Sequence, residues 1–250
     1  MRSKLAWVNL VVLGLSVLVT CAVPAKAADA KKEEGFKSIF DGKTLDGWDG
    51  DPKVWSVADG VIQGKTTKEE PVKHNTFLIW KGGEVADFEI RLEFKLVGGN
   101  SGIQYRSKAS KDWVVKGYQA DFDASNTFSG ILYEEGGRGI LVKRGEKLQI
   151  DAAGKKTVLG KTAEDQEIKD AIKKEDWNEY VVIAKGTHLT QIINGVTTID
   201  VVDEQTGKNA ASGILAFQAH AGPPMTVQFR NVRIKMADAA PAAPKADAAK

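Results

Sequence analysis

Three side chains in this sequence suit acid and base chemistry: His220, Asp121 and Glu134. His220 ends the segment GILAFQAH and directly precedes Ala-Gly-Pro-Pro, so it lies where a predicted strand meets a rigid loop. An imidazole at a strand end can reach a ligand and transfer a proton near neutral pH. The alternative is a structural histidine that is hydrogen-bonded to the turn.

Asp121 and Asp123 stand two residues apart in GYQADFD, on one side of a predicted strand. Paired carboxylates can hold a metal ion, or can divide acid and base roles if their pKa values diverge. The alternative is a solvated strand face on which Asp123 caps the following Ser-Asn turn. The position of Asp121 in the middle of the polar face favours a functional role for it.

Other residues suit the binding of a sugar. Amides and a guanidinium match hydroxyl and carbonyl oxygens, and an indole in a loop can stack on a sugar ring. The loop segment YEEGGRG, which carries Glu134, has glycines that let it close on a ligand or simply make a turn. The predicted binding residues are Gln104, Arg106, Gln119, Arg138, Gln218 and Trp113.

The elements that must position these residues are strands. Segments 102–106 and 118–123 alternate between apolar and polar side chains, which places each type on its own face of a strand. In segment 214–220 the larger apolar residues face the core, so Gln218 and His220 take the opposite face. We therefore expect one polar sheet face that holds the candidate residues.

The whole chain reads as about a dozen short strands with turn signals at roughly every 8–12 residues. Asp59-Gly60 and Asn194-Gly195 predict tight hairpin turns. Residues 164–174 form the one predicted helix. This pattern predicts a single all-β domain, a sandwich or jelly roll of two antiparallel sheets with one short helix.

Residues 1–27 resemble a cleavable secretory signal: basic residues, an apolar run too short to span a membrane, and Ala25-Lys26-Ala27. We predict a periplasmic or secreted protein without a transmembrane segment after cleavage. Thr20 before Cys21 argues against a lipoprotein anchor. Residues 28–34 read as a linker, residues 35–236 as the domain and residues 237–250 as a disordered Ala/Pro/Lys tail.

Charge and motif content narrow the class of protein. The formal net charge of +2 becomes −1 when the three basic residues of the predicted leader are removed, which argues against a nucleic-acid partner. The leader also contains the single cysteine, so no thiol nucleophile or disulfide is expected. The nucleotide-binding, zinc-protease and serine-hydrolase motifs are missing. Oligomeric state stays open.

Several segments together are similar to one known family. FDGKTLDGW, NSGIQYRS, GYQADFD, WNEYVVIAKG and GILAFQAHAGPPMTVQFRNVRIK resemble the 3-keto-disaccharide hydrolase family over residues 35–236. The Lys-rich segment 136–174 departs from the family pattern. The resemblance implies a concanavalin- or laminin-G-like jelly roll and an enzyme for a small carbohydrate that is already oxidised at C3.

A ketone at C3 acidifies the C2 proton, so a base can form an enolate that expels the C1 substituent, after which water can add. On this hypothesis His220 or Asp121 is the base and Glu134 the acid. Arg106 and Gln119, or a bound divalent metal, would stabilise the enolate. Competing hypotheses are a lectin-like carbohydrate-binding module and an envelope protein that acts through its tail.

Overall fold

A computed structural model describes residues 33–237, and these form two β-sheets packed face to face. The predicted signal segment, Cys21 and all but the first residue of the predicted tail lie outside the described residues. None of its helices is long and apolar enough to cross a membrane.

The first sheet has ten strands in the order β12-β11-β15-β14-β13-β6-β17-β4-β3, with β1 paired to β17. All its pairs are antiparallel except β11 with β15. Its strands are β1 (Lys37–Ser38), β3 (Trp55–Ala58), β4 (Val61–Thr66), β6 (Phe88–Val97), β11 (Glu146–Ile150), β12 (Lys156–Lys161), β13 (Asn178–Lys185), β14 (His188–Ile193), β15 (Val196–Asp203) and β17 (Met225–Met236).

The second sheet has seven antiparallel strands in the order β10-β9-β8-β7-β16-β5-β2. A 3-10 turn, Lys111–Trp113, links β7 to β8, and helix α1 spans Asp165–Ala171. The strands of this sheet are β2 (Trp48–Asp49), β5 (Thr76–Trp80), β7 (Asn100–Ala109), β8 (Val115–Asp123), β9 (Leu132–Glu135), β10 (Gly139–Val142) and β16 (Ile214–Ala219).

The core lies between the sheets and consists of the inward residues of the alternating strands. Phe94 on β6 meets Phe122 on β8 with ring centroids 4.0 Å apart, and Phe217 on β16 stacks on Phe229 of β17 at 4.0 Å. Burial of such large apolar side chains is the main favourable term in folding. The inward faces predicted for β8 and β16 are confirmed.

The predicted all-β jelly-roll sandwich with one short helix is confirmed. Both predicted hairpins form, and Asp59-Gly60 has φ values of 51° and 77°. Two consecutive positive φ values are those of a type I′ turn, which glycine adopts without steric cost. The predicted helix at 164–174 is present but shorter, at Asp165–Ala171.

The Lys-rich segment that departs from the family pattern adds secondary structure at one edge of the sandwich. It contributes β11 and the fully exposed β12, followed by α1. Because β11 joins β15 in parallel, this hairpin extends the ten-stranded sheet.

Candidate functional site

A pocket of about 460 Å³ opens on the outer face of the seven-stranded sheet, the face turned away from the core. We call it the carboxylate pocket. Its floor is formed by Gln119, Asp121 and Glu135. One wall is polar, with Asn75, Asn100 and His220, and the other is largely apolar, with Phe128, Ile131, Tyr133 and Ile140.

Asp121 is held at the floor by neutral amides. Gln119 Nε2 donates to Asp121 Oδ1 at 3.0 Å, and Asn100 Nδ2 lies 3.2 and 3.3 Å from the two carboxyl oxygens. Gln104 Nε2 donates to Gln119 Oε1 at 2.8 Å, and Ser107 Oγ donates to Gln104 Oε1 at 2.6 Å. This buried relay turns the N–H₂ group of Gln119 toward the carboxylate.

Burial raises the pKa of Asp121 to about 7, because the residue is only 6% exposed and no cation among residues 33–237 bonds to its carboxyl. Hydrogen bonds from Asn100 and Gln119 oppose this rise in pKa, while the charges of Asp123 and Glu135 add to it. A carboxyl with a pKa near 7 exchanges a proton readily at neutral pH, as a general base must.

Gly102 makes room for this arrangement. It pairs with Asp121 across β7 and β8, and a Cβ placed on it would lie 2.4 Å from the Cγ of Gln119. The Gln119 side chain therefore crosses above Gly102 toward Asp121, a path that a larger residue would block.

Glu135 is the second carboxylate of the floor, and amides hold it as well. Gln218 Nε2 donates to Glu135 Oε2 at 3.2 Å, and Asn75 Nδ2 donates to Oε1 at 3.2 Å. The Ala221 N–H donates to Asn75 Oδ1 at 2.9 Å, which orients that amide. Gln218 Oε1 lies 3.4 Å from Gln119 Nε2, so one amide network joins the two carboxylates.

His220 lines the carboxylate pocket just after the end of β16, as predicted from its strand. Its backbone N–H contacts the Met225 sulfur at 3.3 Å, but its imidazole makes no hydrogen bond with any described residue. The ring of His220 is therefore not hydrogen-bonded to the turn, which was the alternative to a functional role. The imidazole is available to a ligand.

Asp123 caps the turn that follows β8, as the alternative to a functional role predicted. Its Oδ1 accepts hydrogen bonds from the N–H groups of Phe128 at 2.7 Å and Ser129 at 3.0 Å, and Thr127 N donates to Oδ2 at 3.1 Å. Asp123 thus organises the turn that follows β8.

The expectation that Arg106 shares a face with Gln104 needs correction. The β7–β8 register shifts between Tyr105 and Lys108, and Arg106 has a φ of 47°. This bulge breaks the alternation, and the guanidinium instead donates to the Ala86 carbonyl at 2.7 Å and the Gly186 carbonyl at 2.6 Å. Arg106 lies outside the carboxylate pocket.

Glu134 and Arg138 are also absent from the carboxylate pocket, because Glu134 points to the other side of β9 from Glu135. Arg138 Nε donates to Glu134 Oε2 at 2.6 Å, and its Nη2 donates to Asp203 Oδ2 at 2.7 Å. Tyr118 also donates to Asp203 Oδ2, at 2.5 Å. We call these four residues the arginine cluster.

Trp113 lies far from the carboxylate pocket on the same sheet. It borders a separate cavity of about 520 Å³ with Ile79 and Ile214, and its Nε1 donates to Asp49 at 2.8 Å. Ile214 opens β16 and His220 follows its end, so the two sites are separated by about 20 Å of strand. Gln104 and Gln218, by contrast, both hydrogen-bond to Gln119, which donates to Asp121.

The candidate residues missed in the sequence are Asn100, Glu135, Asn75 and Phe128. Alternation could have indicated Asn100, since it shares a strand face with Gln104. Glu135 could be found only from the strand pairing. Gln119 pairs with Tyr133, so Tyr133 and Glu135 share the face of Gln119. Asn75 gave no sequence signal, because it precedes β5 in a polar loop.

Metal ligation was an open question in the sequence. Within residues 33–237, no three His, Cys, Asp or Glu side chains are grouped as a metal site would require.

Comparison with known proteins identifies a matching family and a relative. The family of 3-keto-alpha-glucoside-1,2-lyase-like domains matches residues 35–235. A 3-keto-disaccharide hydrolase of Bacteroides thetaiotaomicron is 30% identical, over 40% of this chain and 47% of that protein. The match thus spans about half the length of this relative.

Two solved structures share the fold. A protein of Parabacteroides distasonis ATCC 8503, provisionally named a glycosyl hydrolase, is 21% identical with a TM-score of 0.54, over 81% of this chain and 99% of that one. A Bacillus subtilis protein of unknown function with a galectin-like fold is 10% identical, with a TM-score of 0.50 over 77% and 90% of the two chains.

Proposed function

Since this chain belongs to the family of 3-keto-alpha-glucoside-1,2-lyase-like domains, we propose that it is an enzyme that cleaves the glycosidic bond of 3-keto-glycosides. The substrate class includes 3-keto-disaccharides, the substrates named for the B. thetaiotaomicron relative. The proposed chemistry is elimination across C1 and C2, followed by addition of water. The predicted export of the protein is part of the same proposal.

The observation that carries the proposal is the state of Asp121. A carboxyl that is buried at a pocket floor, bonded to neutral amides and raised in pKa to about 7 is a stronger base than an ordinary aspartate. The C2 proton of a 3-keto sugar is acidified by the adjacent ketone, so a base of this strength suits its removal.

The bond changes balance without a cofactor. The Asp121 carboxylate takes the proton from C2, and the C–H electron pair forms the C2–C3 enolate of the ketone. The enolate collapses to a C1–C2 double bond and expels the C1 oxygen, which receives a proton as it leaves. Addition of water across that double bond, with its oxygen on C1, then gives the free 3-keto sugar, so the net reaction is hydrolysis.

Two further roles follow from positions in the carboxylate pocket. The imidazole of His220, which has no protein partner among the described residues, is placed to protonate the leaving oxygen. The amide of Asn100 supplies N–H groups for the ketone oxygen beside Asp121. In this assignment His220 replaces Glu134 as the acid and Asn100 replaces Arg106 as an enolate donor.

The competing function is a carbohydrate-binding module without catalysis. A binding module needs hydrogen-bond partners and a stacking surface, and it gains nothing from a buried carboxyl of raised pKa. The concave pocket with Asp121 at its floor therefore favours the enzyme. The two functions are separated by the experiment below.

The experiment incubates the protein with a 3-keto-glycoside and with its unoxidised parent. We expect release of the C1 substituent from the keto form only, with transient accumulation of an enone that absorbs in the ultraviolet. Release from both substrates would point to ordinary glycosidase chemistry. No release from either, with binding measurable by calorimetry, would favour the binding module.

A parallel arm contains EDTA. Unchanged turnover would leave enolate stabilisation to the amides, whereas loss of turnover that added Mg²⁺, Mn²⁺ or Zn²⁺ restores would assign it to a divalent cation.

A further inference from the structure

The carboxylate pocket has an apolar rim whose use the proposed chemistry leaves open. Phe128 is 44% exposed and Ile140 is 42% exposed, yet both line the pocket. Large apolar side chains that stay exposed beside a binding pocket mark a surface that a ligand covers. We propose that Phe128 and Ile140 form the binding subsite for the leaving group at C1, and that this subsite favours an aromatic leaving group over a second sugar.

This inference rests on the proposed function and follows from depth in the pocket. Asp121, with 6% exposure, and Gln119, with 2%, lie at the floor. The ring that loses its C2 proton must therefore sit at the floor, in contact with Asp121. A substituent on C1 then extends toward the rim, where Phe128 and Ile140 are.

The size and chemistry of the pocket agree with this placement. A volume of about 460 Å³ is larger than one hexose ring requires, so a second group of ring size fits. An aromatic leaving group buries apolar area against Phe128 on its whole face. A second sugar can stack only its C–H face there and must also desolvate hydroxyls against an apolar wall.

The loop that carries Phe128 is braced rather than free. The backbone N–H of Phe128 donates to Asp123 Oδ1 at 2.7 Å. Arg144 Nη1 donates to the Ser129 carbonyl at 2.8 Å and to the Asn126 carbonyl at 3.2 Å.

Helix α1 completes this brace. Arg144 Nε donates to Asp165 of the helix at 2.8 Å, and Asn126 Nδ2 reaches the Lys169 carbonyl at 3.3 Å. The segment that departs from the family pattern therefore positions the rim of the pocket, with Arg144 as the central positioning residue.

The test compares two substrates, a 3-keto derivative of an aryl glucoside and a 3-keto-disaccharide. In the Phe128→Ser variant we expect kcat/KM for the aryl substrate to fall about 10-fold, mainly through KM. For the disaccharide we expect a change of less than about 3-fold. Phe128→Leu should retain most of the aryl activity. The control is Leu159→Ser on β12, which removes an exposed apolar side chain of 55% exposure away from the pocket.

Equal losses on both substrates, or no loss on either, would overturn the proposal. The same preference should appear in Arg144→Met as a smaller selective rise in KM for the aryl substrate. A merely structural role of Arg144 would instead lower turnover of both substrates together.

A binding measurement keeps this proposal separate from the proposed reaction. Calorimetry with an unoxidised aryl glucoside and with methyl glucoside should show tighter binding of the aryl compound, and Phe128→Ser should remove the difference. If neither keto substrate is cleaved but this difference is found, the reaction fails and the subsite stands. If cleavage occurs but no difference is found, the subsite fails alone.

Discussion

Two buried carboxylates, Asp121 on the seven-stranded sheet and Asp203 on the ten-stranded sheet, have very different surroundings. Asp121 is 6% exposed and bonded to the amides of Gln119 and Asn100. Asp203 is 1% exposed and bonded to the guanidinium of Arg138 at 2.7 Å and to Tyr118. Burial is similar, but within the described part of the chain only Asp203 of the two is paired with a cationic side chain.

The difference in hydrogen-bond partners gives Asp121 a pKa suited to proton transfer and gives Asp203 a structural role. Neutral amides compensate the cost of desolvating Asp121 only in part, so its pKa rises to about 7 and it can accept a proton. Pairing keeps the Arg138 guanidinium charged, with its pKa raised by hydrogen bonds and charges of Asp203 and Glu134. The arginine cluster therefore ties β8 and the turn between β9 and β10 to β15, while the carboxylate pocket is open to a ligand.

The largest expected effect is on catalysis by Asp121. Replacement by Asn keeps the shape but removes the base, so we expect kcat/KM on a 3-keto-glycoside to fall by about 100-fold or more. The thermal midpoint at pH 7 should stay equal or rise, because an uncompensated buried carboxyl is removed. Turnover close to that of the wild type in Asp121→Asn would refute its role as the base.

The matching substitution in the arginine cluster, Asp203→Asn, should lower stability and leave turnover unchanged. Asp203→Asn leaves the Arg138 charge half-buried with one carboxylate partner fewer, which we expect to cost about 3 kcal/mol in the free energy of unfolding. Urea denaturation at pH 7 measures this cost. Below the unfolding transition, the folded variant should keep its kcat. A stable but inactive Asp203→Asn would place the arginine cluster in the catalytic machinery.

A third prediction concerns the pH dependence of stability. Below about pH 4 Asp121 is protonated in both the folded and the unfolded state. As the pH rises to about 7, the unfolded state releases this proton while the folded state keeps it, so stability falls, by up to about 4 kcal/mol. Comparison of urea curves from pH 4 to pH 8 should show that Asp121→Asn removes this decline and Asp203→Asn does not.

The smallest effect is on the pH profile of turnover. Asn100→Ala should lower kcat at every pH, because it removes the proposed enolate donor. It also removes a donor that lowers the pKa of Asp121, so the acidic limb of kcat against pH should move upward by about 0.5–1 unit. The control is Asn209→Ala, which removes a donor to the backbone carbonyl of Asp203 at 3.2 Å. An equal shift in both variants would mean that the limb does not report Asp121.

The alternation of apolar and polar residues was enough to predict the regular strands and the faces of their side chains. Gln119, Asp121 and Gln218 were placed on one polar face because side chains alternate along a strand whatever its neighbours are. The same reasoning predicted the all-β sandwich, the tight turn at Asp59-Gly60 and the position of His220 at a strand end.

Alternation failed where the backbone departs from regular β-structure. Arg106 follows the pattern in sequence, but the bulge after Tyr105 turns it to other partners. Residues 134 and 135 were both glutamates, and the choice between them depended on which face of β9 is turned to Gln119, which is set by the pairing of distant strands.

By itself the sequence determined the family, through the resemblance of several segments to known members. It also determined the layered fold and the chemical types that face outward, since these depend on short-range periodicity. Tertiary structure alone decided that Glu135 and Asn75 line the same pocket as Asp121 and that the cavity beside Trp113 lies about 20 Å away along β16. It also decided that helix α1 braces the loop of Phe128. Such groupings depend on strand register, bulges and loop closure, which arise only when segments far apart in the chain pack together.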